Sequence, residues 1–190
     1  MEGNDSNTVS LDQRIAHRLK ALRSERGWSL DALAKLSGVS RATLSRLENA
    51  EVSPTASVLG KLASTFGLSI SRLMAMAETD YSPLIPRADQ QRWVDPETGF
   101  VRVSVSPPAK MLGAELLECM IPPGQSIVYE NSPHAGLEHH LYMLDGHLEL
   151  TVDGATYRLN GGDCVRYQLY GESEFETCSD LAAHYLLVVL

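Results

Sequence analysis

Over residues 13–77 the apolar side chains recur every three or four positions, in runs too short for anything but small helices. Ile15, Leu19 and Leu22 make the first group, Leu30, Leu33 and Leu36 the second, and Leu44 and Leu47 the third. Leu59, Leu62 and Phe66 follow, then Ile70, Leu73 and Met74. Each gap holds a residue that stops or starts a helix. Gly27 and Gly38 tolerate the left-handed backbone that ends one, Ser29 and Ser40 are N-cap residues, and Ser53-Pro54 and Gly67 with Ser69 mark the remaining boundaries. The spacing predicts five helices, each burying one stripe against the others.

The middle of this block reads Ser29-Leu-Asp-Ala-Leu-Ala-Lys-Leu-Ser-Gly-Val-Ser-Arg-Ala-Thr-Leu-Ser-Arg-Leu-Glu-Asn49. It resembles the helix-turn-helix of phage repressors and of the bacterial xenobiotic-response-element (XRE) regulators. Ser53-Pro-Thr and Leu62-Ala-Ser-Thr-Phe-Gly-Leu-Ser69 match that pattern further on, so the resemblance covers roughly a third of the chain. Ala34 is small where two helices must approach, Gly38 supplies the positive φ between them, and Val39 fills the turn.

The resemblance implies that the helix starting at Ser40 enters the major groove with its first residues at base edges. Arg41, Ala42, Ser45 and Arg46 are then the candidate base readers. An arginine suits guanine, and Ala42 suits a thymine methyl. Arg18, Ser29, Ser40 and Thr43 are candidates for phosphate, which positions the domain without reading sequence. The family also pairs Arg23 with Glu48 as a structural salt bridge between its first and third helices.

Charge is distributed in agreement with this division. Residues 13–77 carry ten Lys/Arg against four acids, whereas residues 78–190 carry six against seventeen, within a chain of net charge -8. The basic block is the part suited to phosphate. Met1 to Ser10 is polar and acidic, and the apolar run Leu186 to Leu190 is far too short to span a bilayer. Cys119, Cys164 and Cys178 show no Cys-x-x-Cys spacing and read as small core residues. A cytoplasmic location is expected.

After Ser82-Pro83-Leu84-Ile85-Pro86, which reads as a stiff linker, the pattern changes to short strands. Trp93-Val94 and Phe100 to Val103 flank a turn, and His147 to Val152 and Ala155 to Leu159 flank Asp153-Gly154, a hairpin signal. Further strands are expected around Ala114 to Ile121, Leu141 to Leu144, Cys164 to Gln168, Glu174 to Thr177 and Ala182 to Val189.

Residues 107–190 resemble the cupin domain, with the best matches at Leu144-Asp-Gly-His-Leu-Glu-Leu-Thr-Val-Asp-Gly154 and Leu159-Asn-Gly-Gly-Asp163. The expected architecture is an all-α five-helix repressor-like helix-turn-helix domain followed by an all-β cupin (double-stranded β-helix, jelly-roll) barrel. Its expected bounds are a flexible N-terminus at 1–12, the helical domain at 13–77, linker and leading strands at 78–106, and the barrel at 107–190.

Metal-binding members of the cupin family use two histidines, a glutamate and, in a second motif, a third histidine. Counting from Gly146 sets Ser132 and His134 at the first two positions and His139 at the glutamate, while counting from Gly162 sets Ser173 at the third histidine. One ligand is retained in type. His139 is itself a ligand-type residue, and Glu138 and His184 are further candidates. The resemblance leaves open a site of two to four ligands drawn from His134, Glu138, His139 and His184, suited to zinc or nickel, or a loop and strand edge with solvated histidines.

An enzyme needs firmer ligands and an open coordination position. The resemblance therefore points to a homodimeric transcriptional regulator that binds a double-stranded operator, its half-sites one helical turn or about 34 Å apart. The barrel is the expected sensor of a small molecule. The acids of this half suggest an amino acid or amine as effector, or merely a soluble surface. A cupin dioxygenase or isomerase with an appended helical domain is the alternative.

Overall fold

The structure, a computed structural model, describes residues 10–74, 82–109 and 112–190. The expected boundary at 77–78 and most of the expected flexible N-terminus lie outside the described residues. Helix α1 (Leu11–Glu25) starts two residues before the expected boundary, because Ser10 and Gln13 form a reciprocal capping box. Ser29 caps α2 (Leu30–Ser37), Ser40 caps α3 (Arg41–Glu48) and Thr55 caps α4 (Ala56–Phe66), each side chain accepting a backbone N–H three residues on. Gly38 ends α2 at φ 69°, the left-handed turn that the motif requires. Helix α5 spans Ile70–Met74.

Ile15, Leu19, Leu33, Leu44, Leu47, Leu59, Leu62 and Leu73 form the helical core, as their spacing predicts. Leu36 departs from the pattern and is 56% exposed, on the outer side of α2. Among the described residues no helix is long and apolar enough to cross a membrane.

Among the described residues nine strands follow: β1 (Gln91–Val94), β2 (Val101–Ser106), β3 (Glu115–Ile121), β4 (Ser126–Tyr129), β5 (Leu137–Val152), β6 (Ala155–Asn160), β7 (Cys164–Leu169), β8 (Ser173–Glu176) and β9 (Ala183–Val189). One sheet runs β1-β2-β3-β9 onto the first half of β5, whose other edge pairs β7. The second half of β5 pairs β6 and β8, and β8 pairs β4. Phe175 of β8 stacks on Tyr185 of β9, centroids 6.1 Å apart, so the two sheets face each other over a shared core. This strand-rich half-barrel is of the cupin type.

The segments expected as separate strands at 141–144 and 147–152 are one sixteen-residue strand. Gly146 lets it pass between sheets. Its φ is +82°, the register with β9 shifts nearby, and a Cβ there would overlap the Ala182 carbonyl oxygen. Strand β4 carries no periodic signal of its own in the sequence, being only four residues long.

The two halves share one continuous hydrophobic cluster. Gly60 of α4 sits so close to Tyr129 of β4 that a Cβ would come within 2.6 Å of the ring. Around this contact, side chains of the β half hold the helical half. Asp95 Oδ2 accepts the backbone N–H of Ala56 (2.5 Å) at the start of α4, and the buried Glu115 accepts from Ser69 Oγ (2.9 Å) and Arg72 Nε (3.2 Å) at the start of α5. Carboxylates at these two helix starts complement the helix dipoles. Arg102 of β2 donates to Ser71 Oγ (2.8 Å), and Lys61 meets Glu130 (2.9 Å).

Candidate nucleic-acid interface and interdomain cavity

Helix α3 displays its polar side chains because Leu44 and Leu47 turn its apolar stripe inward. Arg41 and Arg46 project into solvent, their side chains 63% and 60% exposed. Arg41 meets Asp31 at 3.1 Å and Arg46 meets Glu51 at 3.9 Å. Exposed pairs of this kind contribute about 0–1 kcal/mol, so both guanidinium groups exchange partners at little cost. Ala42 is exposed between them and Ser45 is half-buried.

The four residues expected at phosphate occupy different settings. Ser29 and Ser40 are exposed N-caps, accepting from Ala32 N (3.1 Å) and Thr43 N (3.1 Å). The Thr43 hydroxyl bonds Ser40 Oγ at 2.8 Å. Arg18 on α1 is half-buried, and its Nε is buried without a partner among the described residues.

Behind this face, Arg23 Nε and Nη2 donate to Glu48 Oε1 (2.7 Å) and Oε2 (2.8 Å), and Nη1 donates to the Trp28 carbonyl (2.8 Å). The side chains are 15% and 6% exposed. The Glu48 hydrogen bond raises the Arg23 pKa, against the opposing effect of burial. This is the interhelical pair expected from the resemblance, and it ties α1 to the end of α3.

Under α4 and α5 lies a cavity of about 60 Å³. Gly60, Ser69 and Ile70 form its roof, and the inner faces of both sheets form its walls. The walls are mainly apolar, from Leu137, Leu169, Phe175, Leu187 and Val189, with Arg102, His139, Ser173 and tyrosines among them. Among the described residues no aspartate or glutamate lines it.

His139 is 9% exposed, and its Nδ1 lies 3.0 Å from the Tyr167 hydroxyl. Burial, with the charges of Arg102 and His134, lowers its pKa to about 4, so the ring is neutral at pH 7. Burial raises the Tyr129, Tyr167 and Tyr185 hydroxyls and pushes the Cys119 thiol up to about 11. Cys119 is therefore an unreactive thiol. Cys164 and Cys178 are exposed, contrary to the expectation that all three cysteines are core residues. Cys164 lies on the outer side of β7, where alternation turns it away from Val165.

The four candidate metal ligands point to different places. His139 faces the cavity, with Leu141 and Met143 on the same side of β5. Glu138 points the other way, to His140 Nε2 (2.7 Å). His184 is taken up by Glu118 across β3 and β9 (3.0 Å), and His134 is exposed on a loop. Ser173 is buried in the cavity wall, and Ser132 Oγ donates to the His134 carbonyl (2.6 Å). Among the described residues no three His, Cys, Asp or Glu side chains gather as a metal would need. The donor set does not fit zinc or nickel.

Arg102 and Tyr129, which connect the cavity to the helical half, belong to no local motif. Only the pairing of β2 with β3 sets Arg102 opposite Cys119 on the inner face.

The helix-turn-helix family model matches residues 19–73, and the cupin domain model matches residues 117–189. The HTH-type transcriptional regulator SutR of Escherichia coli K12 is 34% identical over 159 residues, covering 83% of this chain and 84% of the relative. The chain belongs to the helix-turn-helix transcriptional regulators. PuuR of Escherichia coli, another such regulator, is 30% identical over 147 residues, 76% of this chain and 77% of its own. The crystal structure of a helix-turn-helix regulator from Vibrio cholerae superposes with a TM-score of 0.76 at 26% identity, covering 95% of this chain and 97% of that one. This regulator thus binds DNA through its N-terminal domain and carries a C-terminal cupin domain, as XRE-type members with that second domain do.

Proposed function

We propose that the protein is a cytoplasmic, homodimeric regulator whose cupin domain senses a small molecule and thereby alters operator binding. The observation that carries this reading is the roof of the cavity: Gly60, Ser69 and Ile70 belong to the DNA-binding domain. A molecule in the cavity touches the DNA reader directly, and an effector needs such differential contact in order to shift an equilibrium. Coupling of this kind is worth about 1 to 3 kcal/mol, or roughly five- to 150-fold in operator affinity.

Arg41, Ala42, Ser45 and Arg46 read bases in this proposal, and Arg18, Ser29, Ser40 and Thr43 hold phosphate. Their positions on one exposed helix, its cap and the flanking helices support that division. The protein acts by binding and not by catalysis, a reading supported by its similarity to named transcriptional regulators.

Operator selection followed by footprinting tests the DNA half. Protection of two half-sites about 34 Å apart is expected for the dimer. A single protected half-site, with a monomer in sedimentation, refutes the dimer. Titrating the cavity occupant recovered from purified protein tests the sensor half. An occupant that leaves operator affinity unchanged refutes sensing.

A further inference from the structure

The cavity is electrically one-sided. Among the described residues Arg102 is the one permanently charged side chain of the wall, His139 beside it is neutral, and no acid lines the space. The excess acids of the C-terminal half therefore bear on the outer surface and not on the ligand. Arg102 Nη2 donates to Ser71 Oγ, and no carboxylate among the described residues lies within ion-pair distance of the guanidinium. The two buried acids of this interdomain cluster have partners elsewhere: Glu115 is engaged by Ser69 and Arg72, and Asp95 by the Ala56 backbone N–H. The wall of the cavity thus offers a cation whose partner within the protein is a neutral hydroxyl.

Arg102 is half-buried, and a guanidinium pairs with a carboxylate through two parallel hydrogen bonds. An ammonium group in the same space meets a like charge and finds no carboxylate. The remainder of the wall is mainly aliphatic and aromatic, with the uncharged polar side chains of Ser69, Asn131 and Ser173 among them. A water needs about 10 to 15 Å³ measured in this way, so 60 Å³ holds about four to six non-hydrogen atoms before any wall side chain moves.

We propose that the cavity binds a small, largely apolar organic carboxylate whose charged end is held by Arg102. The proposal rests on the sensor reading above and names the chemistry of its ligand. It also supplies the coupling, because the guanidinium that meets the ligand is the one that holds Ser71 at the start of α5. A carboxylate competes with that hydroxyl for Arg102, and occupancy loosens one of the ties between the cupin domain and the DNA reader.

The test uses the full chain and matched probes sized to the cavity: 2-methylpropanoate, 2-methylpropylamine and 2-methylpropan-1-ol, with straight-chain homologues of three and four carbons. Calorimetry and thermal shift are expected to detect the carboxylates and not the amines, with the alcohols weaker by about ten- to hundredfold. Arg102→Gln is expected to lose the carboxylate preference by a similar factor, and Arg102→Lys to retain part of it. Ser71→Ala, which frees Arg102 without touching the cavity charge, is expected to bind the carboxylate at least as tightly as the parent.

Amines or alcohols binding as well as carboxylates overturns the proposal. So does unchanged carboxylate binding in a folded Arg102→Gln, or failure of every carboxylate to bind at millimolar concentration. If Arg102→Gln does not fold, the comparison of probes on the parent protein and on Arg102→Lys decides. Failure of the sensor reading is a separate outcome: carboxylate binds through Arg102 and operator affinity does not change.

Discussion

Arg23 and Glu48, 25 residues apart in sequence, face one another from α1 and α3 through two parallel hydrogen bonds of 2.7 and 2.8 Å. Both are largely withdrawn from water. Glu48→Ala strands the guanidinium and is expected to cost about 3 to 5 kcal/mol. Replacing both, as Arg23→Met with Glu48→Leu, is expected to recover most of that loss. Thermal denaturation of the two variants decides the matter, and equal melting temperatures refute it.

The two arginine classes of the DNA face are separable by salt. Arg41→Ala is expected to weaken operator binding by about 1 to 3 kcal/mol and to relax preference at one base position. Arg18→Ala is expected to weaken all sequences alike and to reduce the salt slope by about one. Anisotropy titrations on specific and scrambled duplexes at several salt concentrations distinguish them. Indistinguishable behaviour of the two variants removes the assignment.

Gly146 and Gly154 both have φ +82°, yet their surroundings differ. A methyl group at Gly146 overlaps the Ala182 carbonyl, whereas one at Gly154 meets nothing within 4 Å. Gly146→Ala is expected to cost about 2 to 4 kcal/mol and Gly154→Ala about 1 to 2, by urea denaturation. Similar losses at the two positions contradict the crossing geometry of β5.

His139 gives the fold a specific acid sensitivity. Its folded pKa of about 4 lies below the ordinary value of 6.5, so on acidification the unfolded chain takes up the proton first. The contribution of the neutral ring to stability is therefore complete above about pH 6.5 and is lost as pH falls towards 4. The difference in unfolding free energy between the parent and His139→Gln is expected to shrink by about 3 kcal/mol across that window and to level off below it. A pH-independent difference shows that His139 is not buried as a neutral ring.

The helical half was legible because its signals are local. Caps at Ser29 and Ser40, the left-handed Gly38 and the three-four apolar spacing each act within one turn of helix, and all recur in the structure. Leu36 escaped the pattern because periodicity locates a stripe and not what covers it. In the β half the Asp153-Gly154 hairpin was equally local, both residues having positive φ as a type I′ turn demands. In the sequence β5 resembles two pieces because Gly146 looks like a turn residue, and only its close approach to Ala182 reveals a kink within one strand.

The cavity was the least legible feature. Alternation puts His139, Leu141 and Met143 on one face, as observed, but a count along the sequence does not reveal that Glu138 and His184 both turn to other partners. Arg102 contributes through strand pairing, and Tyr129 through its packing on Gly60. Both are long-range relationships, without a signature at the residue itself.

The fit of Gly60 against Tyr129 sets a limit on how this protein can be rebuilt. A chimera cut in the segment between the domains, joining this DNA reader to a foreign cupin, discards Tyr129, Asp95, Glu115 and Arg102 together and uncovers the underside of α4 and α5. Transplanting the sensor therefore requires carrying the docking surface of α4 and α5 with it, so that the natural unit of exchange is the cupin plus the last two helices of its neighbour.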